Sequence, residues 1–259
     1  MRLHAVSNIA KITKSMKMIA ATKLTRAQRN METARVYGQA SNAFFEQTEA
    51  TTNAPETSVY ITVSSDRGLC GGVHSAVSKA TKRAIKKTPN ATAVVLGDKA
   101  KMQLARDHRG HIALSFSGLG KAIPTFEDAC GIADALQASG VTFDKAEIVY
   151  NAFTSMISYV PSYLPVYSQG VFKEAPKFAQ YEVEDDVLDN LYEFSVANSV
   201  FWALSEGYAS EMAAKRMAME NATKNAGEMI DRLTMTYNRG RQAVITNELI
   251  EIIVGASAL

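Results

Sequence analysis

The sequence predicts an α/β fold: a long antiparallel coiled coil of N- and C-terminal helices with an inserted Rossmann-like α/β domain, whose mostly parallel sheet has about five strands. Three observations carry this. No proline follows Pro176, and the pattern from about Asp185 to Leu259 is helical almost to the last residue. Residues 1–50 also lack proline and hold one glycine, Gly38. Between these stretches, β-branched runs alternate with helical ones. A helix of roughly 70 residues spans about 100 Å at 1.5 Å per residue, too long for its own domain without a companion. The N-terminal stretch is that companion. The expected division is therefore a helix over 1–52, an α/β domain over 57–170 and a second helix over 185–259.

In the first stretch Ile9, Thr13, Met16, Ala20, Lys23 and Ala27 recur at alternating steps of four and three, the coiled-coil rhythm. Lys23 is out of place in such a seam. Small seam residues let two helices approach closely but bury little area, which predicts a modestly stable pairing. Thr, Asn and Pro cluster at 51–55 and should end the helix.

The middle reads as strands and helices in turn. Ser58–Ser64 (SVYITVS) is β-branched and aromatic, hence a strand. A glycine-rich turn follows, then a helix from about Val73 to Lys87. Ala91–Gly97 (ATAVVLG) is nearly all apolar, as in strands buried on both faces of a parallel sheet. Asp98–His108 reads as a helix and His111–Ser117 as a third strand. Pro124–Ser139 opens with Thr125 and Asp128 in capping-box spacing, so a further helix begins there. Lys145–Phe153 is a fourth strand. Ile157–Ser168 contains Pro161 and Pro165, which confine it to a sheet edge.

Residues 170–184 form a polar connector. Asp185, Asp186 and Asp189 then suit the positive end of the long helix. Along that helix Ala222, Ala226, Met229, Leu233, Thr236, Gly240, Ala243, Asn247, Ile250 and Val254 keep the four-three rhythm. Ala197, Phe201, Leu204 and Tyr208 keep it upstream. Gly207, Gly227 and Gly240 each cost about 1 kcal/mol in a helix interior, which packing or function must justify. The second helix exceeds the first, so its end from Ala243 onward should lack a partner. Its apolar tip then implies a surrounding sleeve.

Composition excludes several classes. The chain has 259 residues, a net charge of +2 and two cysteines, Cys70 and Cys130, far apart in sequence. A disulfide scaffold or a zinc site is not expected from that spacing. No run of about 18 apolar residues suggests a membrane span. Eight basic residues against Glu32 alone mark positions 1–35. The helical pattern runs on past residue 40, which argues against a removable leader. The basic residues lie inside the pairing segment without interleaved aromatics, which argues against nucleic acid.

The strongest candidate for chemistry is Ser64–Gly72 (SSDRGLCGG), between a strand and a helix, where α/β folds bind phosphate. An α/β protein binding phosphate or nucleotide through Asp66–Gly72 is the alternative reading. The stretch lacks both GxxxxGK[ST] and GxGxxG, so a tight structural turn is the simpler one. Cys70 has only His74 as a base in sequence reach. The four histidines show no metal-binding spacing, and His108 and His111 should be exposed in a loop. On the long helix, Arg239-Gly240-Arg241-Gln242 puts arginines on different sides, suited to carboxylates on a partner.

Several motifs together resemble one family. Ile245-Thr246-Asn247-Glu248, Glu251 and Gly255-Ala256-Ser257-Ala258 are similar to the C-terminal signature of F-type ATP synthase gamma subunits. Ile12-Thr13-Lys14-Ser15-Met16-Lys17-Met18, Ala20–Leu24, Ser65–Gly71, Gly97-Asp98-Lys99 and Arg241-Gln242-Ala243 support the resemblance along the whole chain. Met219–Ala226 looks like the mitochondrial type, and the regulatory cysteine pair of the chloroplast type is missing. Members usually extend before the position of Met1, and many have asparagine where His74 stands.

The resemblance implies a central rotor shaft, without catalysis or cofactor of its own, on the matrix side of the mitochondrial inner membrane. It coupled implies partners: the alpha and beta subunits of the catalytic hexamer, the small delta and epsilon stalk subunits and the c-subunit ring, with the membrane met only through the ring. It further implies that Arg241 and Gln242, beside Arg239, engage a beta-subunit loop, with Met16 and Lys17 at the same height on the other helix. Thr246 and Glu248 correspond to signature residues. The tip including Ile252 and Val254 turns in the sleeve.

Overall fold

The computed structural model describes residues 2–49, 58–173, 175–181 and 187–257. The elements run α1 (Arg2–Gln47), β1 (Ser58–Val63), α2 (Val73–Lys87), β2 (Thr92–Leu96), α3 (Asp98–His108), β3 (Ile112–Phe116), α4 (Phe126–Ala138), β4 (Lys145–Phe153), β5 (Tyr159–Tyr167), α5 (Gln169–Lys173) and α6 (Val187–Ser257). The chain divides into two compact units, one from residues 1–19 and 216–259, the other from 20–215. Among the described residues no helix is long and apolar enough to cross a membrane.

The larger unit is built on a five-stranded sheet in the order β3-β2-β1-β4-β5. β3, β2, β1 and β4 are parallel, and β5 returns antiparallel on β4. Side chains alternate across a strand, so the apolar β1 and β2 feed two cores. Val59, Ile61, Val63, Val94 and Leu96 face α4 and the segment Val196–Leu204 of α6. Tyr60, Ala93 and Val149 face α2 instead. Full burial of each such aliphatic side chain stabilises by about 1.5–3 kcal/mol. Pro161 and Pro165 lie on the edge strand β5, paired with Asn151 and Glu147 of β4.

Local signals set the boundaries. Thr125 Oγ1 accepts from the Asp128 amide at 3.2 Å, and Asp128 Oδ2 accepts from the Thr125 amide at 2.9 Å, a closed capping box before α4. Gly97 holds φ of +95°, and a Cβ there would come 2.7 Å from the Ser65 backbone. Only glycine allows β2 to turn into α3 so close to the end of β1. The expected polar connector is instead partly helical, containing α5 and a 3-10 turn at Phe178–Gln180. The expected helix end at 51–55 and the acids Asp185 and Asp186 lie outside the described residues.

In the same unit, residues 20–47 of α1 pair antiparallel with residues 187–215 of α6. Asn30 donates to Ser205 Oγ at 3.3 Å, Arg35 reaches Glu206 at 2.7 Å, and Asn198 donates to Ser41 Oγ at 2.7 Å. Leu24, Ala27 and Met31 pack with Tyr208, Ala209, Met212 and Ala213. The seam therefore runs through Leu24, which is 2% exposed, and the expected Lys23 faces solvent. The rhythm after Ala20 steps by four, then three, which removes the charge from the interface. Ile9 was also expected inside, but it is 52% exposed while Ala10 is half-buried.

In the smaller unit, the first turns of α1 pair with α6 after Arg216. Lys17 Nζ lies 2.8 Å from Glu220 Oε1, and the Thr13 and Thr223 hydroxyl oxygens are 2.9 Å apart. Met219 and Ala226 are buried there. Met229, an expected seam residue, is exposed, and Ile230 is half-buried in its place. Stepping along α1 from Thr13 reaches Arg2 opposite about Thr234 on α6. The expected seam positions Thr236, Gly240, Ala243, Asn247, Ile250 and Val254 are accordingly all exposed.

Candidate functional site

The smaller unit ends in a long stretch of α6 with no neighbour among the described residues. Every residue from Met235 to Ser257 is exposed. The apolar ones include Val244, Ile245, Leu249, Ile250, Ile252, Ile253 and Val254, which fall in runs of two and three and so point to all sides of the helix. Arg239, Arg241, Gln242, Thr246 and Glu248 share this stretch and are exposed too. Neither arginine has an ion-pair partner among the described residues. Met16 and Lys17 belong to the paired part: Met16 is half-buried, and Lys17 holds Glu220, lowering its carboxyl below the usual range through their hydrogen bond.

Hydroxyls on this helix are turned inward. Thr234, Thr236 and Thr246 each donate to the carbonyl four residues back, on Ile230, Arg232 and Gln242, at 2.8–3.0 Å. Such back-bonding occupies the hydroxyl proton without a neighbouring chain. Gly227 and Gly240 have open space where a Cβ would stand, so packing within the chain does not explain them. Gly207 does touch a neighbour, with Val63 Cγ1 at 3.3 Å from its virtual Cβ.

The glycine-rich stretch after β1 is committed to internal bonds. Asp66 accepts from the Asp98 amide at 2.8 Å and from the Gly118 amide at 2.5 Å, tying the start of α3 to the loop after β3. Ser64 Oγ accepts from the Ala100 amide and donates to the Leu96 carbonyl. The Asp66 amide itself donates to Leu119, and the Arg67 amide to Ser65 Oγ. Both Asp66 carboxylate oxygens are thus engaged by amides of the chain itself, one of them at the N-terminus of α3. Leu69 and Gly71 both have φ of +63°, the turn chemistry that the glycine content announced.

Behind that turn sits a buried polar cluster that residue spacing did not reveal. Cys70, His74 and Glu211 each offer a ligand atom within 4.8 Å of the others. Burial pushes the Cys70 thiol up to about 11, with the Glu211 carboxylate adding to it, so the thiol is not primed as a nucleophile. Burial also lowers the pKa of His74, favouring the neutral ring, and raises that of Glu211. His108 and His111, expected in the open, are half-buried, and His111 Nδ1 lies 3.0 Å from the Ala91 carbonyl.

A second buried acid, Glu206, is 1% exposed and collects Arg35, the Phe153 amide at 2.7 Å and Trp202 Nε1 at 3.1 Å. Its position four residues after Trp202 and three before the buried Ala209, on one face of the helix, was a readable signal. An acid inside an apolar seam implies buried donors nearby.

Two terminal helices that pair with each other and bracket a Rossmann-like domain define a class of helical-stalk proteins. The comparisons with known proteins agree. The ATP synthase family model matches residues 1–259. The mitochondrial ATP synthase subunit gamma of Pichia angusta is 46% identical over 263 residues, covering 100% of this chain and 97% of the relative. Its Rattus norvegicus counterpart is also 46% identical, over 266 residues, with the same coverage of both chains. A central-stalk chain of the Tetrahymena thermophila mitochondrial ATP synthase superposes with a TM-score of 0.72 at 28% identity, covering 82% of this chain and 99% of that one. The chain belongs to the ATP synthase gamma-subunit family.

Proposed function

We propose that this chain is the central rotor shaft of a mitochondrial ATP synthase, coupling rotation of a proton-driven c-subunit ring to conformational change at the catalytic beta subunits. It performs no catalysis itself. It works at the matrix side of the inner membrane, with the alpha–beta hexamer, the ring and the small delta and epsilon stalk subunits as partners. The observation that carries the reading is the stretch Met235–Ser257, exposed throughout and with apolar side chains on every side among the polar ones, in a chain that matches the family from end to end. Such a surface calls for an enclosing sleeve. The helices of 1–52 and 185–259 act as shaft, and 57–170 as the domain nearer the ring.

The physical logic needs no reacting group. A catalytic site changes nucleotide affinity only if its contacts with the shaft differ between its states. An asymmetric rod supplies that difference as it turns. Arg239, Arg241 and Gln242 act by reaching carboxylates and polar groups of a beta-subunit loop, where arginine binds bidentately. Thr246 and Glu248 act further along, and Ile252 and Val254 in the sleeve. Met16 and Lys17, expected at the height of Arg241, act elsewhere on the shaft: Lys17 pairs with Glu220, about 30 Å along α6 from Arg241 at 1.5 Å per residue. The test is a cysteine at position 241 carrying a cross-linker, in a chain co-assembled with alpha and beta subunits. Mass analysis should find a beta subunit attached. A chain that fails to assemble with the hexamer, or a cross-link that reaches neither subunit, would overturn the reading.

A further inference from the structure

We propose that Cys70, His74 and Glu211 form a binding site for a divalent transition-metal ion of zinc-like softness. All three side chains are more than nine-tenths buried, and one ligand atom from each lies within 4.8 Å of the other two. The set mixes thiol, imidazole and carboxylate, the three donor types that zinc accepts.

The second observation is an orphaned acceptor. Glu211 Oε1 is buried without a hydrogen-bond partner among the described residues. A buried carboxylate oxygen left so is costly, and such a group calls for a proton, a water or an ion. It also borders a cavity of about 140 Å³ shared with Ser65, His74, Asn151 and Tyr208. Asn151 Oδ1, in the same wall, is likewise buried without a partner. Glu211 and Asn151 line one small cavity, and an ion there that carries a water would bring a positive charge to the first acceptor and a donor to the second. Three protein ligands with a fourth position open toward a cavity is also the arrangement of non-structural zinc sites.

The geometry requires little movement. Bonds of about 2.0–2.3 Å put tetrahedral ligand atoms roughly 3.5 Å apart, so each pair would close by about 1.3 Å at most. Ligation through His74 Nε2 gives up its 3.1 Å contact with the Arg67 carbonyl, whereas ligation through Nδ1 keeps it. Kept, it is the outer contact that orients a ligating ring. The ligands join two distant parts of the chain, the turn leading into α2 with its first residues and the first half of α6. A bound ion would therefore pin the glycine-rich turn to the long helix.

The test uses the full-length chain, stripped with chelator and titrated with Co²⁺, then with Zn²⁺. One ion per chain should bind, with a thiolate-to-cobalt charge-transfer band of one-thiolate intensity that Zn²⁺ abolishes. Cys130→Ser should keep the band and Cys70→Ser should lose it. Glu211→Gln should weaken binding by at least about 10- to 100-fold, the loss that even outer-shell partners cause. No band in the wild-type chain at excess cobalt overturns the proposal, independent of how any variant folds. So does a band that survives Cys70→Ser, or an affinity unchanged by Glu211→Gln.

Discussion

Gly38→Ala should destabilise the larger unit although it replaces the poorer helix former by the best one. A Cβ at Gly38 would stand 2.5, 2.6 and 2.8 Å from Cε3, Cδ2 and Cγ of Trp202. These are core atoms of the indole, so no flexible end can swing aside. The ring is also held at its far side, where Nε1 donates to Glu206 Oε1 at 3.1 Å. Helix propensity favours alanine by about 1 kcal/mol. Overpacking costs about 1–3 kcal/mol, and a ring that tilts away weakens a bond to a carboxylate worth about 1.5–3 kcal/mol. The net expectation is a loss of about 1–3 kcal/mol. Gly227→Ala is the control, because open space surrounds its virtual Cβ and only the propensity gain should remain. Trp202 is the single tryptophan, so its fluorescence reports the contact directly. Urea unfolding of the full chain should show a lower midpoint and shifted emission for Gly38→Ala, and a higher midpoint for Gly227→Ala. Equal stability of both variants, with unchanged emission, would refute the reasoning.

Three further outcomes follow from particular contacts. Leu24→Ala should cost about 2–5 kcal/mol as a buried large-to-small change, whereas Lys23→Ala should stay within about 0.5 kcal/mol; comparable urea midpoints would mean that the seam is misplaced. Glu211 should make stability pH-dependent in chelator. Its folded pKa is raised by burial above the ordinary value of 4.5, so between that value and the raised one the native state binds more protons, and stability falls as pH rises. Glu211→Gln should flatten that slope, and a slope that persists in the variant assigns it to another group. Arg241→Ala should lower the coupling of ATP synthesis to proton flow in reconstituted vesicles while leaving the melting of the chain nearly unchanged, since the side chain is exposed; normal coupling would remove Arg241 from the proposed contact.

The strands and the helices of the inserted domain were legible because their signals are local. Val73–Lys87 and Asp98–His108 have the limits that the sequence predicts, and Thr125 with Asp128 closes the box their spacing announced. The helix pairing was legible in kind and not in register. Around Lys23 and Leu24 the four-three rhythm allows two orders, and the small neighbours Ala20 and Ala27 fit both. Only the cost of burying a lysine separates them, and the structure follows that cost. The polar interior was less readable. Cys70 and His74 sit four residues apart, yet their third companion, Glu211, comes from the last quarter of the chain. No periodicity links those positions; the sheet brings them together. The exposed residues from Arg239 to Val254 drew attention through charge, apolarity and resemblance, because a surface meant for another chain leaves no trace in its own packing.

The inward-turned threonines of α6 bear on how a rotating part avoids catching. A hydroxyl normally offers one proton and two lone pairs. At Thr234, Thr236 and Thr246 the proton is already committed to the helix's own carbonyls, so only acceptor capacity faces outward. A surrounding wall can meet these positions with a donor, but it cannot form the reciprocal pairs that hold two surfaces at one angle. Threonine here gives the rod a polar, wettable skin with fewer directional bonds to break at each step. Smoothness of turning would then be partly a matter of hydroxyl bookkeeping along the helix.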